Sequence, residues 1–230
     1  MGIEIEINTL DEMCALMCDN AVFEREDNQM ESYAQEQEDL IIARILKDVK
    51  EGFYIDIGAY SPDVYSVTKL FYEQGWRGIN IEPIPDMCAE FTAKRERDIN
   101  LNIAISNTKG AMTLHVDGMA STLSDKVVAE SNLTFKDVEI EVDTLTNVVT
   151  YYAPQEIHFL KVDVEGFEKQ VLEGYDFHIR PWVICMESTK PNTEIPCYDE
   201  WEYILLEHGY ALKEAHGINR FYVDAERNWG

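Results

Sequence analysis

Five carboxylates lie along this chain where they could act together: Asp56, Glu82, Asp163, Glu165 and Glu187. Four of them close short apolar runs, at residues 52–56, 78–82, 157–163 and 182–187. Such runs, bounded by turn residues, read as buried strands. In an open α/β sheet, ligands bind outside the carboxyl ends of the strands, so Asp56, Glu82, Asp163 and Glu187 are expected to ring one crevice. Four unpaired carboxylates in one crevice would be costly to bury without a ligand or hydrogen-bond donors.

The spacing and the turn chemistry narrow the ligand. Glu82 lies 26 residues after Asp56, where an acid can accept hydrogen bonds from a ribose diol. NAD and S-adenosylmethionine both carry that ribose. A pyrophosphate site wants G-x-G-x-x-G so that backbone can approach the phosphates. Here only Gly58 is present, followed by Ala59-Tyr60-Ser61-Pro62-Asp63. Asp63 would meet a pyrophosphate with like charge, whereas an acidic turn suits a sulfonium cation. S-adenosylmethionine is therefore favoured. An NAD-linked oxidoreductase and a non-catalytic binding member of the fold are the alternatives.

The elements that must position these acids follow in order. Residues 1–30 read as an acidic helical extension, with Leu10, Met13, Leu16 and Met17 at helical spacing. A second helix is expected over 33–49, ended by Gly52. A strand to Asp56, a helix marked by Val67, Leu70 and Phe71, and a strand at 78–82 come next. A helix is expected at 87–94 and a third strand at 101–106. Residues 111–116 and 138–142 read as an antiparallel pair flanking a polar loop at 117–125. The strand at 157–163 leads into a helix with Phe167, Val171 and Leu172 on one side. A strand at 182–187, a helix through Trp201, Ile204 and Leu205, and two strands joined by a turn at Gly217 close the chain. The expected class is α/β: a Rossmann-like, mostly parallel seven-stranded sheet with an antiparallel C-terminal strand and helices on both faces. The expected domains are 1–30 and 31–230.

The whole-chain chemistry sets bounds. The 230 residues carry 44 acidic and 19 basic side chains, for a net charge of −25, of which −10 falls in residues 1–51 (14 acidic, 4 basic). That charge argues against a nucleic-acid partner or an anionic membrane surface. No apolar run reaches the length of a membrane span. Cys14, Cys18, Cys88, Cys185 and Cys197 are odd in number and irregularly spaced, which suits reduced thiols rather than a disulfide framework. A cytoplasmic protein is expected, with its oligomeric state, including a homo-oligomer, left open.

One resemblance is specific. The stretches Phe53-Tyr54-Ile55-Asp56-Ile57-Gly58-Ala59, Ser66-Val67-Thr68 and Gly75-Trp76-Arg77-Gly78-Ile79-Asn80-Ile81-Glu82-Pro83 resemble those of FkbM-family methyltransferases. So do Asp98-Ile99-Asn100-Leu101-Asn102, Ser121-Thr122-Leu123, and Ile157 through Glu168 with its Asp163-Val164-Glu165-Gly166-Phe167-Glu168 core. The likeness runs from about residue 31 to the C-terminus. It implies S-adenosylmethionine-dependent O-methylation of a hydroxyl on a sugar, glycan or small-molecule acceptor, such as a surface glycan. It places Asp56, Gly58 and Ala59 beside the methionine portion of the cofactor and Glu82 on its ribose. Ile81 and Pro83 flank them, and Ser66 and Asp163 complete the cofactor set. Ser32, Tyr33, Gln35, Glu38 and Asp39 match a stretch that either covers the cofactor or caps a helix.

Methyl transfer needs the acceptor oxygen in line with the methyl carbon and a group to take the hydroxyl proton. Asp163 and Glu165 stand where the strand at 157–163 meets the crevice. His115, beside the polar loop, is the third candidate base, whereas His158 reads as a core histidine. Asp163, Glu165 and Glu187 are also oxygen donors that suit Mg²⁺ or Ca²⁺, should a metal be used. Asn219 and Arg220 could hydrogen-bond an acceptor or hold a turn.

Overall fold

The computed structural model describes residues 31–152 and 154–229. The chain divides into Met1–Glu31 and Ser32–Gly230, and everything below concerns the second unit. The helix expected around Leu10 to Met17 lies outside the described residues.

Among the described residues, ten strands and seven α-helices follow in chain order: α1 (Glu38–Ile45), β1 (Phe53–Ile57), α2 (Lys69–Glu73), β2 (Arg77–Ile81), α3 (Pro85–Lys94), β3 (Ile99–Leu101), β4 (Ala104–Ile105), β5 (Gly110–Val116), α4 (Asp125–Glu130), β6 (Lys136–Asp143), α5 (Leu145–Tyr152), β7 (Phe159–Val162), α6 (Glu168–Glu173), β8 (Val183–Glu187), α7 (Glu202–Glu207), β9 (Tyr210–His216) and β10 (Asn219–Asp224). Seven strands form one sheet in the order β3-β2-β1-β7-β8-β10-β9. Its neighbours pair in parallel except β10, which runs antiparallel to both β8 and β9. This is the Rossmann-like sheet with its reversed C-terminal strand. A smaller sheet, β4-β6-β5, sits beside it.

Alternation along the central strands gives the sheet two apolar faces. Ile55, Ile57, Ile79, Ile81, Leu160, Val162, Ile184 and Met186 pack with Val148, Val149, Leu172 and Leu205 of α5, α6 and α7. Tyr54, Phe159, Val183, Cys185 and Phe221 pack with Ile41, Ile42, Leu70 and Phe71 of α1 and α2. Each such buried side chain contributes about 1.5–3 kcal/mol. Phe71 lies against Phe159 and Trp76, with ring centroids 4.7 and 4.9 Å away. Polar residues in the matched stretches also build the fold. Asp98 accepts from the Gly78 amide, the Tyr54 hydroxyl and the Asn80 side chain at 2.6–3.0 Å, tying β3 to β2 and β1.

The main departures from the sequence expectation are three shifted elements and one helix with no counterpart. The helix expected over 33–49 narrows to α1, because the side chain of Asp39 turns back to the Ser32 hydroxyl and the Tyr33 amide, both at 2.7 Å. The strand expected at 101–106 is two strands in two sheets. Asn102 donates to the carbonyls of Glu82 and Pro83, at 3.0 and 2.9 Å, and marks the break. Val67 is buried but precedes α2, since residues 59–68 run irregularly with Tyr60 and Tyr65 in the left-handed region. Helix α5 had no sequence assignment at all.

Candidate functional site

The order β2-β1-β7-β8 sets four strand ends side by side, and the chain's direction of progress across the sheet reverses between β1 and β7. A crevice at such a reversal is where open α/β sheets bind ligands. A cavity of about 600 Å³ opens there, lined by Gly58, Tyr60, Ile81, Glu82, Pro83, Asp163, Glu165 and Glu187 among others. Its apolar wall includes Ile84, Ala104, Ile105, Leu114 and Phe167.

The floor depends on the turn after β1. The amides of Gly58 and Ala59 both donate to the Ile81 carbonyl, at 3.1 and 3.2 Å. Gly58 has φ +74°, and a Cβ there would overlap the carbonyl oxygen of Asp163. Only glycine meets both conditions without strain. Below the turn, Lys161 rises from β7 and donates to the Gly58 carbonyl at 2.7 Å. Its Nζ lies 3.3 Å from Asp56 Oδ1 and 3.5 Å from Asp163 Oδ2. Burial alone would lower the pKa of this ammonium, but the charges of Asp56 and Asp163 outweigh it and hold the pKa above its usual value.

Glu82 is 4% exposed. Its Oε2 accepts from the Tyr60 amide at 2.8 Å and its Oε1 from the Ile84 amide at 2.7 Å. Burial pushes its pKa up to about 7, against the lowering effect of those amides and of Lys161. On the other side of the turn, oxygens of Asp163, Glu165 and Glu187 all lie within 4.8 Å of one another. Glu165 stands in the left-handed region at φ +52°, which costs a non-glycine residue about 1–2 kcal/mol. Its carbonyl accepts from the Thr122 hydroxyl at 2.7 Å. Burial, then the charge of Asp163, raises the carboxyl pKa of both Glu165 and Glu187. Glu168, behind them, accepts from the amides of Val164 and Gly166 at 3.3 and 3.1 Å.

The remaining candidates fall elsewhere. Asp56 is 1% exposed and lies beneath the cavity, holding Lys161 and accepting from the Thr68 hydroxyl at 3.3 Å. The expected ring of four acids is thus three lining acids with the fourth below. Ala59 lines a small hollow of about 40 Å³ beside the main cavity. Ser66 is buried away from the cavity, where its Oγ accepts from Arg95 Nη2 at 3.2 Å. His115 has both ring nitrogens engaged, Nδ1 with Asp137 at 2.7 Å and Nε2 with Asp125 at 3.0 Å. His158 is a core residue, accepting from the Phe53 amide at 3.0 Å. Gln35 lines the cavity, whereas Glu38 is buried and accepts from Asn219 at 2.8 Å. Arg220 is held by Glu202 at 2.9 Å, so Asn219 and Arg220 bind within the fold.

Lys161 joins the site without having been a candidate, although a lysine inside an apolar strand is a visible signal in the sequence. The Tyr60 amide and the wall residues Leu114 and Phe167 also join it, and they carry no chemical signature in the sequence.

The Methyltransferase FkbM domain model matches residues 56–212, more than half of the chain. The chain belongs to the FkbM methyltransferase family. Its activity is therefore methyl transfer from S-adenosylmethionine, and the family gives no support to the NAD alternative. No curated protein matches the chain significantly. Among solved structures, it is similar to the precorrin-6y C5,15-methyltransferase of Geobacter metallireducens, at 13% identity, covering 87% of this chain and 93% of that one, with a TM-score of 0.42. It is also similar to the 1,6-didemethyltoxoflavin-N1-methyltransferase of Burkholderia thailandensis, crystallised with S-adenosylhomocysteine, at 11% identity, covering 96% and 91%, with a TM-score of 0.44. Among the described residues, no helix is long and apolar enough to cross a membrane.

The cavity's own chemistry fits the methyl donor. Glu82 is a buried acceptor of the kind a ribose diol needs, Ile84, Ala104 and Ile105 form an apolar wall that suits a flat base, and Asp163 and Glu165 are acidic side chains that suit a sulfonium.

Proposed function

We propose that this protein methylates a hydroxyl oxygen of a sugar, glycan or other polyol. One observation carries this reading: the oxygens of Asp163, Glu165 and Glu187 converge within 4.8 Å in the same cavity as Glu82. A hydroxyl is a poor nucleophile until a base takes its proton, and a carboxyl whose pKa is raised by burial is a stronger base than a free one. When bound, S-adenosylmethionine supplies an electrophilic methyl group on a sulfonium. Glu82 holds the ribose diol, and Gly58 lets backbone approach the methionine portion. Lys161 fixes Asp163 from below. Asp163 and Glu165 orient the acceptor hydroxyl and receive its proton. His115 serves as a positioning residue, fastening the start of α4 through Asp125. A second cavity of about 630 Å³, lined by Phe135, Trp201, Asn192 and Thr193, shares the last two residues with the first and gives an acceptor room and an aromatic surface. On this reading, residues 31–230 are the catalytic domain, residues 1–30 an appended extension, and the setting is cytoplasmic.

The test is transfer of labelled methyl to a panel of sugars and glycans, with the product position read by NMR. An O-methyl ether is the expected product. Methyl carried only on nitrogen or carbon acceptors would overturn the reading.

The site also implies a pH dependence. In the free protein Glu82 is protonated below its pKa of about 7 and ionised above it. The ionised carboxylate accepts more strongly from a diol. Ligand binding should therefore strengthen as pH rises from about 6 to 8, by up to about tenfold per unit below pH 7. Calorimetry with S-adenosylhomocysteine across that range checks this, and the slope is expected to flatten in Glu82→Gln.

A further inference from the structure

We infer that Asp163, Glu165 and Glu187 form a binding site for one hard divalent cation of the Mg²⁺ or Ca²⁺ class. The inference rests on the reading above, because the ion's remaining ligands would come from the acceptor's hydroxyl oxygens and water. Three carboxylate oxygens within 4.8 Å of one another fit the shell of a single ion. Oxygens on opposite sides of Mg²⁺ stand about 4.0–4.2 Å apart, and of Ca²⁺ about 4.6–5.2 Å. Oxygen-only donors select hard cations over zinc or copper.

A second observation points to a ligand independently of the cluster's acidity. Glu187 is 5% exposed and lines the cavity; its carboxyl meets that of Asp163, yet its Oε2 has no hydrogen-bond partner among the described residues. Oε2 of Glu165 is likewise buried, with no partner among the described residues. Buried polar atoms of this kind are rare, because each forfeits hydration without replacement. The nearby cation, Lys161, is already shared between Asp56, Asp163 and the Gly58 carbonyl. An ion at the three carboxylates would give Glu165 and Glu187 the partner their side chains lack, with the acceptor and water filling its remaining positions from the cavity. Two neighbouring hydroxyls could take those positions, and a hydroxyl bound to the ion loses its proton more readily, passing it to the second oxygen of a ligating carboxylate, Asp163 or Glu165, which offers the ion only one of its two oxygens. The site would thus select acceptors with adjacent oxygens.

The test is titration of Mn²⁺, as a spectroscopic stand-in for Mg²⁺, into the 230-residue chain saturated with S-adenosylhomocysteine. Electron paramagnetic resonance reads free Mn²⁺. One tight site is expected in the wild type. Loss even of groups that only orient metal ligands weakens binding about 10–100-fold, so Glu187→Gln should weaken Mn²⁺ by at least about tenfold. Glu165→Gln, a second and more exposed position, should do the same if Glu187→Gln fails to fold. Retained binding of S-adenosylhomocysteine shows that a variant is folded. Equal Mn²⁺ affinity in wild type and folded variants would assign the ions to the acidic surface and overturn the site, as would no binding at millimolar Mn²⁺. The readout uses no acceptor, so tight Mn²⁺ without O-methylation would sink the acceptor assignment alone.

Discussion

Lys161→Met is expected to destabilise the protein by about 3–5 kcal/mol, the usual cost of leaving a buried charge without its partner. The Asp56 carboxylate is 1% exposed, and apart from the Lys161 ammonium at 3.3 Å its Oδ1 has no partner among the described residues. Among the described residues, its Oδ2 accepts from the Thr68 hydroxyl alone. The methionine would fill the lysine's space while stranding that charge, freeing Asp163 and leaving the Gly58 carbonyl without its donor. Adding Asp56→Asn should restore part of the loss, because a neutral pair avoids the stranded charge. The restoration should be incomplete, since Asp163 and Gly58 still lack their partner. Urea unfolding of wild type, single and double variants measures both effects. A single-variant loss below about 1 kcal/mol would mean that solvent, not Lys161, supports Asp56.

Glu165→Gln is expected to lower kcat by about 10²–10⁴-fold, the range for losing a positioned acid or base. Affinity for S-adenosylhomocysteine should change little, because the cofactor's ribose rests on Glu82. The amide keeps the side chain's shape, and the backbone anchor from the Thr122 hydroxyl to the Glu165 carbonyl is untouched. What it removes is the ability to take a proton or carry negative charge at the convergence with Asp163 and Glu187. Steady-state kinetics beside calorimetry separates the two effects. Unchanged kcat would place the chemistry away from this carboxylate.

The sheet was legible because its strands are apolar runs that stop at acids. Ile55, Ile79, Leu160 and Ile184 are fully buried, and Glu82 and Asp163 follow directly on β2 and β7. Helix α5 was not legible. Its Val148, Val149 and Thr150 are β-branched and its Tyr151 and Tyr152 aromatic, a composition that lowers helix propensity. Burial of Leu145, Val148 and Val149 against the sheet decides it instead. The site was legible in its parts but not in its assembly. Asp163, Glu165 and Glu187 could be named from their positions, but their convergence depends on a left-handed Glu165, which nothing in a glutamate's chemistry announces. The pairing of Lys161 with Asp56 joins residues 105 positions apart, beyond any local pattern. His115 is a candidate base from its place beside the polar loop, and what its position does not disclose is that Asp125 and Asp137 both meet its ring.

Calorimetric titration of the wild type and Glu82→Ala with S-adenosylhomocysteine tests the central claim most directly, since it asks whether this cavity is the cofactor site. The expected result is one site per chain with roughly micromolar affinity in the wild type, weakened at least about tenfold in the variant by loss of the diol's charged acceptor. No heat of binding in the wild type, or equal affinity in the two proteins, would contradict it.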